Sequence, residues 1–140
     1  MTRSGAESLG RLVLDTSAYS RFRGGDERAL DFIAAAEIVS VPTIVLGELE
    51  AAFTLGRRER ENHSILAEFL AESFVSILPV TPAVARRYGR LFADLRRAGT
   101  PIPINDVWIA ATAFDCGGHL LTFDSDFGHV PSLDCTILAP

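Results

Sequence analysis

Five acids in this chain stand where side-chain oxygens can act together: Asp15, Glu48, Asp106, Asp124 and Asp126. Asp15 closes the run Arg-Leu-Val-Leu-Asp and Asp124 closes Leu-Leu-Thr-Phe-Asp, so each ends a strand-like segment. By the two-residue period of a strand, Thr122 shares a face with Asp124 while Leu121 and Phe123 point the other way. Glu48 falls among Ile44, Val45, Leu49 and Ala52 in a helical pattern, within or at the edge of the apolar stripe. Glu50 is turned roughly 200° from it at the helical period and is expected to face water. Asp106 opens a segment, Val-Trp-Ile-Ala-Ala-Thr-Ala-Phe, apolar enough to be buried. Singly, these acids have ordinary uses as helix caps, turn formers and complements to a positive helix end, Asp126 most of all. Jointly, they offer the carboxylate oxygens that hard cations such as Mg²⁺ and Mn²⁺ select, and no Cys or His cluster offers a softer site. A cation would also relieve the repulsion of four carboxylates at close range. The hydroxyls of Thr16 and Ser17 suit either a phosphate or metal-bound water, or equally a helix cap.

Positioning these acids requires alternating strands and helices. Residues 11–15 read as a strand and 17–23 as a helix halted by Gly24-Gly25; Asp26 caps a second helix through residue 36. Residues 37–41 form a second strand, with Pro42 in the first turn of a third helix that ends at Gly56. Residues 57–72 are helical and 74–80 a third strand. Thr81-Pro82 opens a long helix to residue 98, and Thr-Pro-Ile-Pro at 100–103 is a stiff connector. Asn105 is placed to cap a helix over 106–116, which Gly117-Gly118 ends. Residues 119–123 and 135–138 are the last strands. Helical crossovers imply an α/β fold with a mainly parallel sheet of about five strands flanked by helices. In such a sheet ligands bind beyond the carboxyl ends of the strands.

The chain's 140 residues suit one domain, expected over residues 11–140 behind a polar leader at 1–10. Apolar residues make up 48% and charged residues 22%, a balance that excludes a disordered chain. No run approaches the ~18 apolar residues of a membrane span, and the leader lacks a signal peptide's apolar core, so a cytoplasmic protein with no membrane partner is expected. Net charge is −5, with all 13 basic residues arginine and no lysine. An acidic chain is a poor nucleic-acid binder unless several acids converge on a metal and arginines supply the phosphate contacts. Arg21 and Arg23, just beyond the first strand, are the first choice for those contacts. Cys116 and Cys135 read as small buried apolar residues. His63, His119 and His129 show no spacing to a nucleophile or metal partner, which disfavours a histidine-driven ribonuclease. Trp108 and the nine Phe residues read as core, although Phe32, Phe53 and Leu55 are also placed to line a groove on the second and third helices.

The chain resembles the PIN domain, and more narrowly the VapC-type ribonuclease toxins of bacterial toxin–antitoxin pairs. The likeness is carried by Leu-Asp-Thr-Ser-Ala at 14–18, Gly-Glu-Leu at 47–49, Asn-Asp-Val-Trp-Ile-Ala at 105–110 and Leu-Thr-Phe-Asp-Ser-Asp-Phe at 121–127. Each is weak alone; the four in order span almost the whole chain. The resemblance implies a Mg²⁺- or Mn²⁺-dependent endoribonuclease leaving a 5′-phosphate and a 3′-hydroxyl, with a VapB-type antitoxin and a homodimeric state. It implies that Asp15 and Asp106 are the firmest metal ligands, that Glu48 and Asp124 complete the quartet, and that Thr122 is the supporting hydroxyl. Asp126 shares the fourth role as an alternative. A non-catalytic PIN-like RNA-binding domain is a rival, opposed by the complete set of acids. A Mg²⁺-dependent phosphatase with Asp15 as nucleophile is another, but it needs a second acid close behind the first, where this chain has Thr16-Ser17.

Overall fold

The computed structural model describes residues 10–140, so the expected leader lies, apart from Gly10, outside the described residues. Five strands form one sheet: β1 (Arg11–Leu14), β2 (Ile38–Pro42), β3 (Val75–Leu78), β4 (His119–Thr122) and β5 (Cys135–Ile137). Their order is β3-β2-β1-β4-β5, and every pairing is parallel. Six helices connect them: α1 (Thr16–Arg23), α2 (Glu27–Ala35), α3 (Thr43–Leu55), α4 (Glu59–Leu70), α5 (Pro82–Arg97) and α6 (Ile104–Cys116). Leu12, Val13 and Leu14 are all fully buried although alternate strand residues point to opposite faces. The central strand is therefore covered on both sides, as a parallel sheet requires. Among the described residues no helix is long and apolar enough to cross a membrane.

Local chemistry accounts for most boundaries. Asp26 accepts the backbone N–H groups of Arg28 and Ala29 and starts α2, and Thr81 accepts that of Val84 with Pro82 behind it to start α5. Gly117 ends α6 at φ 68°, a left-handed conformation suited to glycine. Pro42 belongs to the end of β2 and caps α3 rather than lying in its first turn. Asn105 does not cap α6: that helix begins at Ile104 after Pro103, with no side-chain cap. Asn105 already lies within the first turn, so its side chain is not at the cap position, and its NH₂ donates instead to Glu48.

The core is built from β1, β2 and β4 with Val45 and Leu49 of α3, Leu66 and Phe69 of α4, and the inner face of α6. Several residues expected inside are only partly so. Cys116 and Cys135 are free thiols, half-buried at a helix end and on an edge strand, and burial pushes both thiols up. Trp108 is half-buried and stacks on Tyr88 with ring centroids 3.9 Å apart. Phe74 is exposed at the sheet's outer strand, and Ala52 faces solvent. Phe32 stacks on the His119 ring, Phe53 is half-buried, and Leu55 is 88% exposed at the end of α3.

Candidate active site

Sheet topology decides where the acids meet. From β1 the chain winds outward to β2 and β3, then returns to the other side of β1 for β4 and β5. The winding reverses between β1 and β4, which leaves a crevice at their carboxyl ends. Leu14 pairs with Leu121, so Asp15 and Thr122 emerge side by side.

Asp15 is only 4% exposed and holds three hydrogen bonds. Its Oδ1 accepts the Ala18 N–H at 2.8 Å, which caps α1, and the Ser17 hydroxyl at 2.7 Å; its Oδ2 accepts the Thr122 hydroxyl at 2.5 Å. The two hydroxyls are fixed in turn by the far strand, since Phe123 N–H donates to Ser17 Oγ and Asp124 N–H to Thr122 Oγ1, each at 2.9 Å. Burial raises the Asp15 carboxyl above its ordinary value, and these donors pull it part of the way back. Ser17 and Thr122 thus act as clasps on one carboxylate.

Glu48 is half-buried at the edge of the apolar stripe of α3. Its Oε1 accepts the Thr16 hydroxyl at 2.5 Å and its Oε2 the Asn105 amide at 3.3 Å, which ties α3 to both α1 and α6. Glu50, on the other side of α3, is half-buried and meets His63 Nδ1 at 2.7 Å.

Asp106, in the first turn of α6, is the most perturbed group. Burial, then the charges of Asp124 and Glu48, a carboxyl hydrogen bond with Asp124 and the charge of Asp15 raise it to about 7. One carboxylate oxygen from each of Asp106, Asp124 and Asp126 lies within 4.8 Å of the others. Asp126 joins this group because Asp124 Oδ1 accepts its N–H at 2.9 Å, which starts a short 3₁₀ turn at Ser125–His129. That turn was not legible as a helix in the sequence, where the segment reads only as a turn. Asp15 and Glu48 lie outside the trio, their oxygens held by protein donors, but both act on Asp106.

The donor set suits a hard divalent cation. All five side chains offer oxygen, and among the described residues none of them forms an ion pair with an arginine or histidine. Asp106 shows the strain of that arrangement, since burial and the neighbouring carboxylates disfavour its charged form and a shared cation would favour it.

The expected phosphate contacts separate. The Arg21 guanidinium lies 4.9 Å from the centre of the ring of Phe123, the residue that precedes Asp124. Arg23 turns away over Phe22 at 5.7 Å and lines a hollow of about 380 Å³ with Ile33, Ile65 and Phe69. A residue that sequence reasoning passed over, Arg28, places its guanidinium 5.4 Å from the same Phe123 ring. Its only sequence signal was the position two residues after the capping Asp26.

A model of the PIN domain matches residues 12–133. The chain belongs to the PIN-domain family. Within that family this PIN domain is 34% identical over 118 residues to Ribonuclease VapC5 of Mycobacterium tuberculosis, covering 82% of the chain and 84% of that relative. Among solved structures, VapBC-5 of Mycobacterium tuberculosis, a member of the VapBC family of toxin-antitoxin systems, matches with a TM-score of 0.71 and 28% identity. That match covers 93% of this chain and 98% of the other. VapBC2 of Rickettsia felis, bound to a DNA fragment from its promoter, matches with a TM-score of 0.79 over 91% of this chain and 98% of its own; at 23% identity it speaks for the PIN-domain fold.

Proposed function

We propose that this PIN domain is an endoribonuclease toxin that cuts RNA phosphodiester bonds with Mg²⁺ or Mn²⁺ and is inhibited by a VapB-type antitoxin. The observation that carries the reading is the meeting of Asp106, Asp124 and Asp126 beside Asp15 and Glu48, with no arginine among the described residues paired to any of them. The naming of the 34% identical relative as a ribonuclease, and of VapBC-5 within toxin-antitoxin systems, supports it.

Asp106, Asp124 and Asp126 would hold the cation, with Asp15 and Glu48 completing its surroundings. A cation so held lowers the pKa of its water and offsets charge on the phosphate oxygens. The chain's own part is positional. Thr122, Ser17 and the Ala18 N–H fix the Asp15 carboxylate, and Thr16 with Asn105 fixes that of Glu48. A cation at these oxygens would favour the charged form of Asp106, which burial and the neighbouring carboxylates disfavour. The phosphatase alternative fits poorly, because Asp15 is buried and both of its oxygens already accept hydrogen bonds. The reading includes a cytoplasmic setting and pairing of two copies, for which the exposed Leu55 and Ile104 offer apolar surface.

Incubation of the purified chain with total RNA, in Mg²⁺ or in EDTA, tests it. New 5′-phosphate ends in Mg²⁺ and none in EDTA are expected; RNA left intact in both, or cut equally in both, would overturn the reading.

A further inference from the structure

Five carboxylates repel the phosphates on either side of the one being cut, so the rim of the site must supply positive charge at a fixed place. Phe123 lies between Thr122, which clasps Asp15, and Asp124, and its N–H is held by Ser17. The ring is half-buried and fixed within one residue of the acids. Two guanidiniums from different helices converge on it, Arg21 from α1 at 4.9 Å and Arg28 from α2 at 5.4 Å. Convergence of two cations on one ring costs repulsion, which the ring's π-face and a nearby acid offset. Asp26 is that acid: its Oδ2 accepts Arg28 Nη2 at 3.0 Å and its Oδ1 accepts Arg28 Nε at 3.3 Å. The grip fixes the orientation of Arg28 while leaving its side chain 46% exposed. Arg21 is exposed and forms no ion pair among the described residues.

We propose that Arg21 and Arg28, laid on Phe123, form a phosphate clamp that holds the RNA strand next to the scissile bond. The proposal rests on the ribonuclease reading above and names the residues that place the substrate. Arg21 supplies a full charge, and Arg28 supplies a fixed fork of donors whose charge Asp26 partly offsets. Guanidiniums suit this task because their planar donors match phosphate oxygens while the opposite face packs on an aromatic ring. These are positioning residues, since the bond-breaking chemistry stays with the acids.

Single-turnover cleavage of end-labelled total RNA in Mg²⁺, followed against protein concentration at several KCl concentrations, separates binding (K½) from chemistry (kmax). For Arg21→Gln with Arg28→Gln, K½ should rise about tenfold and kmax stay within about twofold, with the salt slope of log K½ flattened by about 1. Arg21→Gln alone, a change at an exposed side chain, should give the larger share of that flattening, about 0.7, and carries the test should the double variant fail to fold. Phe123→Leu should raise K½ with the slope retained, because the charges remain but lose their platform. Arg87→Gln, which removes an equal charge at the far end of α6 beside Asp115, should leave K½ and slope unchanged. Unchanged K½ and slope in the Arg21 and Arg28 variants, with Mg²⁺-dependent cleavage intact, would overturn the clamp and leave the ribonuclease reading standing. Absence of cleavage by the unaltered chain would remove both.

Discussion

At the scale of single residues, the site is a contest between desolvation and donors. Asp15 is the more buried acid but has three hydrogen-bond donors, whereas Asp106 is half-buried and faces other carboxylates. Asp106→Asn is therefore expected to abolish RNA cleavage, by at least about a hundredfold, while the chain stays folded. It removes one of the mutually repelling charges, so the metal-free variant should melt no lower than the unaltered chain at pH 8. Circular dichroism melts and end-labelled RNA assays on the same preparation check both halves; full activity would show that Asp106 is not part of the chemistry. Asn105 is another such donor: lying inside the first turn of α6 and not at its cap, it gives its NH₂ to Glu48.

At the scale of elements, the close packing of β4 against β1 positions the acids. Gly118 leads into β4 where a side chain has no room: a Cβ there would lie 2.7 Å from Val13 Cγ2, and Val13 is fully buried. A β-branched neighbour cannot swing aside cheaply, so the strand would have to shift. Gly118→Ala is expected to lower stability by about 1–3 kcal/mol in urea unfolding. Because Asp15 and Thr122 leave adjacent strands, the same shift should weaken Mn²⁺ binding. An Ala variant as stable as the parent would show that the strand yields without cost.

For the whole molecule, the consequence of gathering acids is a pH-dependent stability with a definite sign. Burial and the neighbouring acids push Asp106 up to about 7 in the folded chain, against an ordinary 3.8 when unfolded, so between those values the folded state binds the extra proton. Without a divalent ion, stability should fall as pH rises from about 4 to about 7 and stay low above that; the raised Asp15 adds in the same direction. A cation replaces the proton, so 5 mM Mg²⁺ should raise Tm more at pH 8 than at pH 5.5. Scanning calorimetry at both pH values with and without Mg²⁺ checks this, and an equal Mg²⁺ effect at both would contradict it. The arginines on Phe123 answer the same excess of negative charge from outside the crevice.

Periodicity and punctuation determined a good deal by themselves. The acids Asp15 and Asp124 just past strands β1 and β4, the Asp26 and Thr81 caps and the Gly117 stop were all legible, because each depends on interactions within a few residues of chain. That the sheet would be parallel followed from the helical crossovers. What no local pattern contained was the reversal of winding between β1 and β4, which turns separate strand ends into one crevice. The 3₁₀ turn that returns Asp126 to Asp106, the clasp of Thr122 on Asp15 and the meeting of Arg28 with Phe123 join residues far apart in sequence. Such contacts depend on strand order and packing, and these are settled only when the whole chain closes its core.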